Sequence, residues 1–444
     1  MNAILKPVSK VRGGAATPHF KHTADKDSVR MPAPGLVVIP MQQHIGAPCR
    51  PVVKPGDLVT VGQVIGTSDA FVSAPIHSSI SGKVKAIRPL LMSSGAQCDA
   101  VHIENDNQDT RCEGIAPVTV TSKAELLEAC RNSGLVGIGG AGFPLHVKLN
   151  LKDDSGVDTL LINAAECEPY ITSDYRECIE FPERVVAGIA LVMEHLGIVR
   201  GLICVEDNKP DGIAALLRVL NADPGRKQDI QVVKLPAKYP QGAEKMLILT
   251  ATGRKVPPGA LPSDVGCLVM NVSSISVLQH YINTGMPLVR KRITVDGGAI
   301  RSPGNVFVPL GSSIGDVINF CGGFKSEPVK ILTGGPMMGT AQYDAAMPIL
   351  KQNNAIIALT ESETYEPEES ACIRCGRCVA ACPMSLMPTL IERYARAGDA
   401  ERLVKVGVSS CMECGSCAFS CPAGRPLVQY MKHAKLVQRK AGAK

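Results

Sequence analysis

Residues 372–383 read CIRCGRCVAACP, and residues 411–422 read CMECGSCAFSCP. Each copy has the spacing C-x2-C-x2-C-x3-C-P, in which three thiolates on a tight loop can reach three irons of one cubane [4Fe-4S] cluster. Gly376 and Gly415 allow each loop to turn sharply. Two structural zinc sites, which need four soft ligands each, remain the alternative. The repeats therefore predict a C-terminal module with two [4Fe-4S] clusters.

The fourth cysteine of each repeat carries a further implication. The repeats resemble those of bacterial two-cluster ferredoxins, in which this cysteine ligates the cluster of the other repeat. The resemblance implies a ferredoxin-like α+β module over residues 361–444, with helical residues near 391–397 spanning the chain between the repeats. The ligands would then be Cys372, Cys375, Cys378 and Cys421 for cluster 1, and Cys411, Cys414, Cys417 and Cys382 for cluster 2.

Length and composition narrow the class of protein. A chain of 444 residues is long enough for about three domains. It has neither an apolar run of about 18–20 residues, as a spanning helix needs, nor the apolar segment of a secretion signal. We therefore expect the reducing cytoplasm, where its 17 cysteines would not form a disulfide framework. With 4% aromatic residues and no Trp, few side chains could stack on bases, which disfavours nucleic-acid binding.

The charge distribution is uneven. The net charge of +6 would fall to about +2 with two clusters bound, since each cluster with its thiolates carries about −2. No acidic residue follows Glu413, whereas six cations do: Arg425, Lys432, Lys435, Arg439, Lys440 and Lys444. Either a solvated helix and tail or a docking surface for an acidic redox partner or anionic lipid headgroups would explain them.

The first 115 residues are predicted to be rich in strands, because turn residues separate short apolar runs. The stretches VVKPGDLVTVGQVIG (52–66) and VSAPIHSSISGKVKAI (72–87) resemble the halves of a biotinyl/lipoyl-type barrel-sandwich. The lysine that such domains modify is absent: His77, Ser78, Ser79 and Ile80 stand at the expected hairpin tip. The resemblance thus implies a β barrel-sandwich over residues 1–115 that serves as a structural or docking module.

From Thr121 the pattern alternates between helices and strands, which predicts a layered α/β domain over residues 116–290. The predicted strands are 159–163, 201–205 and 230–235, and the predicted helices are 182–196, 211–220 and 242–252. Residues 293–324 return to a β pattern with many glycines. An acidic linker at 360–369 leads to the cysteine repeats.

A glycine-rich loop lies within GLVGIGGAGFPLHVK, residues 134–148. Gly137, Gly139 and Gly142 match the G-x-G-x-x-G spacing of a dinucleotide fingerprint, but a capped helix rather than a strand precedes them, which argues against a Rossmann site. The glycines still let backbone N–H groups approach a phosphate or a flat ring, and Lys148 could neutralise charge. A turn for close packing is the alternative interpretation.

Polar residues follow the first predicted strand in TLLINAAECEPYITSDYR, residues 159–176. Asn163, Glu166 and Glu168 come at its carboxyl end, where open α/β sheets bind ligands. An Asn side chain can bond the edge of a heterocycle, and carboxylates can accept from ribose hydroxyls. These residues and the glycine loop predict one ligand site.

The combination GxGGAGFPxxxK and NAxExEP resembles the flavin and NADH site of the complex I 51-kDa subunit family. Together with the sandwich, the segment YPQGAEKMLI (239–248) and the cysteine repeats, nearly the whole chain resembles the C-subunit family of the Rnf electron-transport complex. The resemblance implies FMN, NAD(H) and two [4Fe-4S] clusters as cofactors. It also implies a small β-grasp domain of the SLBB type, with the start of the linker, over residues 291–360.

The resemblance assigns the site residues of the family to the matching positions of this chain. It implies that Glu166 and Lys148 are catalytic residues and that the remaining site residues bind FMN and NADH. Gly137, Gly139, Gly140, Gly142 and Lys148 would surround the FMN phosphate and ring, Asn163, Glu166 and Asn271 the isoalloxazine, and Phe143, Glu168 and Glu244 the NADH. Three positions depart from the 51-kDa pattern: Ile138 replaces an arginine, Ala165 an aspartate and Ala243 a glutamate.

The function implied is that of an NADH-linked oxidoreductase subunit that passes electrons between NAD(H), FMN and two clusters. It would be the peripheral subunit, on the cytoplasmic face, of a membrane ferredoxin:NAD+ oxidoreductase that pumps ions. Its partners would be the other subunits and ferredoxin or a ferredoxin-like subunit, with no nucleic acid. Two alternatives are a soluble NADH-dependent electron-transfer protein, such as the one associated with proline reductase, and an iron–sulfur relay without flavin.

Overall fold

A computed structural model describes residues 4–223, 225–364 and 367–442 of this mixed α/β chain. Eight strands precede the first helix. They are β1 (Val29–Arg30), β2 (Leu36–Pro40), β3 (Arg50–Pro51), β4 (Leu58–Val59), β5 (Val64–Thr67), β6 (Ile76–His77), β7 (Gly82–Leu91) and β8 (Gln97–Asn105). The antiparallel sheet β2-β8-β7-β4 and the sheet β3-β5-β6 enclose one apolar core that includes Val37, Ile39, Ile65 and Ile103. The predicted β-rich sandwich is thus present.

The segment expected at an exposed hairpin tip is buried instead. His77, Ser78, Ser79 and Ile80 are all inaccessible, and the Ser79 hydroxyl donates to Leu310 O at 2.5 Å. The tip is therefore a contact between the sandwich and a later sheet, because its hydroxyl side chains find backbone partners there. This burial supports a structural role for the sandwich.

The central region is a three-layer α/β unit. Its elements are α1 (Lys123–Asn132), α2 (Leu145–Leu149), β9 (Thr159–Ala164), α3 (Ser173–Glu180), α4 (Pro182–Leu196), β10 (Arg200–Glu206), α5 (Pro210–Ala222), β11 (Asp229–Leu235), α6 (Glu244–Thr252), β12 (Cys267–Asn271) and α7 (Val272–Thr284). The sheet β11-β10-β9-β12 is parallel throughout. Leu160 and Ile162 of β9 pack on the face covered by α4 and α7, whereas Leu161 packs with residues of α6, so both faces are buried as a parallel sheet requires.

A six-stranded mixed sheet follows, in the order β1-β14-β13-β17-β15-β16. Its later elements are β13 (Arg290–Asp296), β14 (Gly304–Pro309), α8 (Ile314–Phe320), β15 (Lys330–Thr333), β16 (Thr340–Ala341) and β17 (Ala355–Leu359). The prediction of β structure over 293–324 is wrong at α8. The Ser313 hydroxyl accepts from Asp316 N at 2.9 Å, and Ile314, Val317 and Ile318 are buried at helical spacing.

Within residues 367–442 the secondary structure is helical, with no strand. The helices are α9 (Arg377–Ala381), α10 (Pro388–Arg396), α11 (Ala400–Lys405), α12 (Ser416–Phe419) and α13 (Leu427–Gly442). The α+β form expected for this module is therefore not confirmed. Ile391, Leu403 and Met431 share one apolar core, so α10, α11 and α13 pack on one another. Lys444 and part of the predicted linker, Tyr365 and Glu366, lie outside the described residues.

Residues 4–31, here called the N-terminal strap, run along the three later regions before the sandwich begins. Leu5 pairs with Val233 of β11, Gly14 N donates to Ala381 O at 2.8 Å in the cysteine module, and β1 pairs with β14. The strap thus connects regions that are far apart in sequence. The boundaries 1–115, 116–290, 291–360 and 361–444 stay a prediction. No helix of the described residues is long and apolar enough to cross a membrane.

Candidate cofactor sites

The glycine loop is a short, closed turn between α1 and α2. Gly137 N donates to Phe143 O at 2.8 Å, and Gly142 N donates to Gly137 O at 2.9 Å. Gly140 has φ +125°, which side-chain-bearing residues rarely adopt, and a Cβ there would meet open space. The tip of the loop therefore presents exposed backbone that a ligand can approach closely. Phe143 is half-buried at the end of the turn.

Gly139 and Asn271 are placed against each other. A Cβ at Gly139 would lie 2.7 Å from Asn271 Nδ2, so only glycine leaves room for that amide. Asn271 Oδ1 accepts from Ser274 N at 3.1 Å and caps α7, while its Nδ2 donates to Asp174 Oδ2 at 2.6 Å. The loop and the end of β12 thus meet, as the predicted site requires.

Lys148 and Glu244 form an ion pair of 3.0 Å between Nζ and Oε2. Lys148 comes from α2 and Glu244 from the first turn of α6, and their side chains are 30% and 41% exposed. A pair this accessible contributes at most about 1 kcal/mol, so an incoming ligand can compete for either partner. The residues expected at the FMN phosphate and at NADH are therefore adjacent.

Asn163 is fixed between its own loop and the segment after β11. Its Nδ2 donates to Gly242 O at 2.8 Å, and its Oδ1 accepts from Ala165 N at 3.2 Å. Ala165 and Ile138, two of the positions that depart from the 51-kDa pattern, are buried. Ile138 packs in the core shared with α4 and α7, and Ala165 packs in the cluster that contains α6 residues, so neither side chain obstructs the open tip.

Glu166 has a role that sequence reasoning missed. Its carboxylate accepts from Asp174 N at 2.6 Å and Tyr175 N at 3.1 Å, the free backbone donors at the start of α3. Glu166 itself has φ +51°, a conformation uncommon for non-glycine residues. The carboxylate thus stabilises a helix N-terminus, and its predicted catalytic role stays a prediction.

Lys21 of the strap holds the loop that carries both glutamates. Its Nζ donates to Glu166 O at 2.9 Å, Glu168 O at 2.8 Å and Ile171 O at 2.6 Å. Burial lowers the pKa of Lys21 to about 8, although the nearby Glu166 carboxylate opposes the shift. No local signal identifies this residue, because about 145 positions separate it from the loop.

Two further titratable groups, Lys291 and Asp174, are buried near the glycine loop. The ammonium of Lys291 donates to Ile138 O and, at 2.9 Å, to Lys351 O, and burial lowers its pKa to about 7. Burial also raises the pKa of Asp174 to about 6, with the charge of Glu166 adding to the shift. Sequence reasoning missed Lys291 and Asp174, since a charged residue in RKRITVD or ITSDYR is indistinguishable from a surface residue.

Glu168 points away from Glu166. Its Oε2 accepts from Met337 N at 3.0 Å, and its Oε1 is buried without a hydrogen-bond partner among the described residues. A Cβ at Gly335 would lie 2.2 Å from Oε2, so the backbone approaches the carboxyl group closely. Burial raises the pKa of Glu168 to about 7. Glu168 is therefore held against the loop between β15 and β16, and its role at NADH stays a prediction.

Glu168→Gln is expected to stabilise the protein more at pH 8 than at pH 5. Between the ordinary pKa of 4.5 and the folded value of about 7, the folded chain keeps a proton that the unfolded chain loses, so parent stability falls as pH rises. The amide cannot ionise and avoids a penalty of up to about 3 kcal/mol. The midpoint of the first thermal transition, measured for both proteins across this range, checks the difference. An equal difference at both pH values would contradict a raised pKa.

The residues around the glycine loop fit a flavin. The loop tip is open, Lys148 supplies a cation beside it, and the amide oxygen of Gln352 is buried without a partner among the described residues. The Gln352 side chain would lie 3.7 Å from a Cβ at Gly142, which places it at the loop. A buried acceptor without a donor is expected where a bound group supplies that donor. Gln352 is thus a further candidate that the sequence did not reveal.

Four cysteines from both repeats surround one cavity. Cys382 of the first repeat lines it with Cys411, Cys414 and Cys417 of the second, alongside apolar side chains such as Met431. This is the set expected for cluster 2 if the fourth cysteines cross over. Burial raises the pKa of the Cys417 thiol to about 12, so iron binding has to displace its proton. No three His, Cys, Asp or Glu side chains in the described ranges are close enough to bind one ion.

The set of cysteines expected for cluster 1 is more exposed to solvent. Cys378 and Cys421 lie in one small apolar cluster with Leu427, to which Cys417 of the other set also belongs. Cys421 is close enough to Cys378 for its charge to raise the pKa of the Cys378 thiol, although burial is the main cause of that shift. Cys372 and Cys375 are exposed on the loop before α9. The donor chemistry of both sets fits cubane clusters, since each offers thiols from a tight loop and one from the opposite repeat.

Some of the basic C-terminal residues form ion pairs within the cysteine module. Arg425 bonds Glu392 Oε2 at 2.9 Å, and Lys435 bonds Glu413 Oε1 at 2.6 Å. Lys432, Arg439 and Lys440 are exposed on α13. The cationic surface is therefore smaller than the sequence predicts.

Family models match four parts of the chain. The matches are the RnfC barrel sandwich hybrid domain over residues 9–108, the Nuo51 FMN-binding domain over 130–280, the SLBB domain over 292–341 and the 4Fe-4S dicluster domain over 365–423. The expected multidomain chain, with a barrel-sandwich, an FMN-binding, an SLBB and a 4Fe-4S dicluster domain, is thus confirmed. A chain of an NAD+-reducing [NiFe]-hydrogenase in the air-oxidized state is similar in fold, with a TM-score of 0.50 and 18% identity over 72% of this chain and 63% of that chain.

Whole-chain relatives are closer. The C subunit of the proton-translocating ferredoxin:NAD(+) oxidoreductase complex of Clostridium ljungdahlii is 46% identical over 95% of this chain and 92% of its own length. The C subunit of the Na(+)-translocating complex of Acetobacterium woodii is 42% identical over 87% of each. The C subunit of the ion-translocating oxidoreductase complex of Rhodobacter capsulatus is 41% identical over 96% of this chain and 82% of its own. With matches of this extent, the chain belongs to the family of Rnf-complex C subunits.

Proposed function

We propose that this chain passes electrons between NAD(H), FMN and two [4Fe-4S] clusters, as the NADH-site subunit of a membrane ferredoxin:NAD+ oxidoreductase that translocates ions. The observation that carries this proposal is the presence, in one chain, of an open glycine loop beside Lys148 and a cavity lined by four cysteines. The relatives, named as subunits of ferredoxin:NAD(+) oxidoreductase complexes, support the reaction. When bound, FMN would convert a two-electron hydride donor into single-electron steps that clusters accept.

Individual residues are assigned roles on this basis. The glycine turn with Asn271 would receive the flavin, Lys148 would neutralise its phosphate, and Asn163 would be held in position by Gly242. Glu244, which pairs with Lys148, and Phe143, at the end of the glycine turn, would hold NADH, while Glu166 fixes the start of α3. The finer assignment of the six-stranded region as a β-grasp domain and of the cysteine module as ferredoxin-like, with crossed ligation, belongs to the same proposal.

Location and partners follow from the family. We place the chain peripherally on the cytoplasmic face of the membrane complex, in contact with its other subunits and with ferredoxin or a ferredoxin-like subunit. The exposed cations of α13 support docking to an acidic surface, an attraction that salt screens over about 8 Å at physiological ionic strength.

The proposal is tested with the purified full chain after anaerobic iron reconstitution. Flavin and iron are quantified, and NADH is then added while the cluster absorbance is followed. We expect bound FMN and bleaching of the clusters by NADH, and no bleaching in a flavin-stripped sample. A chain that holds iron but never retains FMN would be an iron–sulfur relay. Reduction of both clusters by NADH without any association with membranes carrying the other subunits would favour the soluble alternative.

A further inference from the structure

The two cluster sites differ in their relation to the flavin pocket. We propose that the cavity of Cys382, Cys411, Cys414 and Cys417 is the inner cluster site, next to the pocket, and that Tyr239 is the positioning residue that fixes it there. The other set, Cys372, Cys375, Cys378 and Cys421, is then the outer site. This inference rests on the proposed function and adds the order of the two sites.

Tyr239 lies at the contact between the α/β unit and the cysteine module. Its side chain is 2% exposed, and its hydroxyl donates to Cys414 O at 2.7 Å. Tyr239 and Cys414 share an apolar cluster with Met337 and Cys167, and a Cβ at Gly415 would lie 3.0 Å from Met337 O. The inner loop is therefore packed against residues of the flavin-type and SLBB regions, with no room for a side chain at Gly415.

The same chain segment also contacts the pocket. Gly242, three residues after Tyr239, accepts from Asn163 Nδ2 at 2.8 Å, and its N donates to Cys167 Sγ at 3.4 Å. Glu244 pairs with Lys148. Six consecutive residues thus bond the inner cysteine loop at one end and the expected flavin residues at the other. A shift of Tyr239 would change the separation of the two sites directly.

The N-terminal strap also bonds both sides of the contact between the α/β unit and the cysteine module. Ala15 N donates to Tyr239 O at 3.0 Å, and Gly14 N donates to Ala381 O at 2.8 Å, next to Cys382. A Cβ at Gly14 would lie 2.2 Å from Tyr239 O, so the two backbones are in close contact. Tyr239 is thereby held on both its backbone and its side chain.

The outer site has the opposite environment. Every residue from 371 to 377 is exposed, including Cys372 and Cys375, whereas Cys414 and Cys417 are buried. A redox site that exchanges electrons with another protein has to be approachable, and one that exchanges them with an internal cofactor has to be close to it. The burial difference therefore assigns the inner and outer positions independently of Tyr239.

The hydroxyl of Tyr239 also affects the inner site electrostatically. Hydrogen bonds and solvent exposure around the ligating cysteines set the potential of an iron–sulfur cluster. The positive end of the O–H dipole points at the Cys414 loop and favours an added electron there. Its removal is expected to make the potential of the inner cluster more negative and to leave the outer one unchanged.

The test is Tyr239→Phe in the reconstituted full chain, followed by redox titration with electron paramagnetic resonance. We expect unchanged iron and flavin content and a negative shift of one cluster signal. Titrations of Cys417→Ser and Cys375→Ser, each altering one site, identify which signal is which. The matched control is Tyr343→Phe, since Tyr343 also donates to a carbonyl, Leu91 O at 2.6 Å, on a more exposed part of the chain. A shift confined to the outer signal, or no shift, would overturn the proposal.

A second comparison tests the order of the two sites even if Tyr239→Phe does not fold. NADH should reduce the remaining cluster at least tenfold faster in Cys375→Ser than in Cys414→Ser. The reverse ranking would place the exposed site next to the pocket and refute the order. Absence of NADH reduction in the parent, with the potential shift present in Tyr239→Phe, would refute the proposed function and leave the positioning role intact.

Discussion

Cys421→Ser is expected to alter the cluster anchored by the first repeat, although Cys421 belongs to the second. Cys417→Ser should alter the other cluster. Cys382 lines one cavity with the three early cysteines of the second repeat. Cys421 packs near Cys378, in an apolar cluster that also includes Cys417. Each substitution exchanges a thiolate for a poorer ligand, so iron content should fall from about eight toward about four per chain if the affected cluster is lost.

The measurement is electron paramagnetic resonance of both variants, with iron quantified in the same samples. Cys112→Ser serves as the matched control, because Cys112 is a partly exposed free thiol outside the repeats. Selective loss or alteration of the same signal in Cys421→Ser and Cys417→Ser would mean that each repeat ligates its own cluster. The crossed assignment would then have to be withdrawn.

Lys148→Ala is expected to weaken FMN binding by about 10- to 150-fold. A charge-assisted contact to phosphate is worth roughly 1.5–3 kcal/mol, which corresponds to that range. The ion pair with Glu244 sharpens the test, because Glu244→Gln frees the ammonium for phosphate. We expect Glu244→Gln to keep or tighten FMN binding while it weakens NADH binding.

Fluorescence titration of the flavin-stripped chain gives the FMN dissociation constants. Lys152→Ala, at an exposed lysine four positions further on, is the matched control and should bind as the parent does. If Lys148→Ala and Glu244→Gln lost FMN equally, the lysine would act only as the structural partner of Glu244. Retention of parent affinity in Lys148→Ala would remove the phosphate role altogether.

The elements that could be predicted from sequence are those with local signals. The strand of Leu160 to Ile162 and the helix that begins at Pro182 follow from apolar periodicity and a proline at the first turn. The spacing of the cysteines likewise identifies the candidate cluster ligands, because the pattern is local to each repeat. The pattern of residues 293–324 predicts β structure, but at α8 a capping serine and three buried apolar residues at helical spacing favour a helix.

The rest of the site depends on contacts between distant residues. Lys21 bonds a loop about 145 residues away, and Tyr239 bonds Cys414 across 175 residues. Neither residue stands in a pattern that distinguishes it from an ordinary lysine or tyrosine. Gln352 is recognisable only because its oxygen is buried without a partner among the described residues. Such groups become visible only when the chain has folded.

The open loop of Cys372 and Cys375 has a consequence for the lifetime of the protein outside the cell. Oxidants and chelators reach thiolates in proportion to their exposure, so an outer cluster held as we propose would be attacked first, while the buried thiols of Cys414 and Cys417 are shielded. Damage would therefore proceed from the surface inward. With the clusters placed as proposed, a chain exposed to air would lose about half its iron and its exchange with other proteins, while its inner cluster and flavin pocket stay intact.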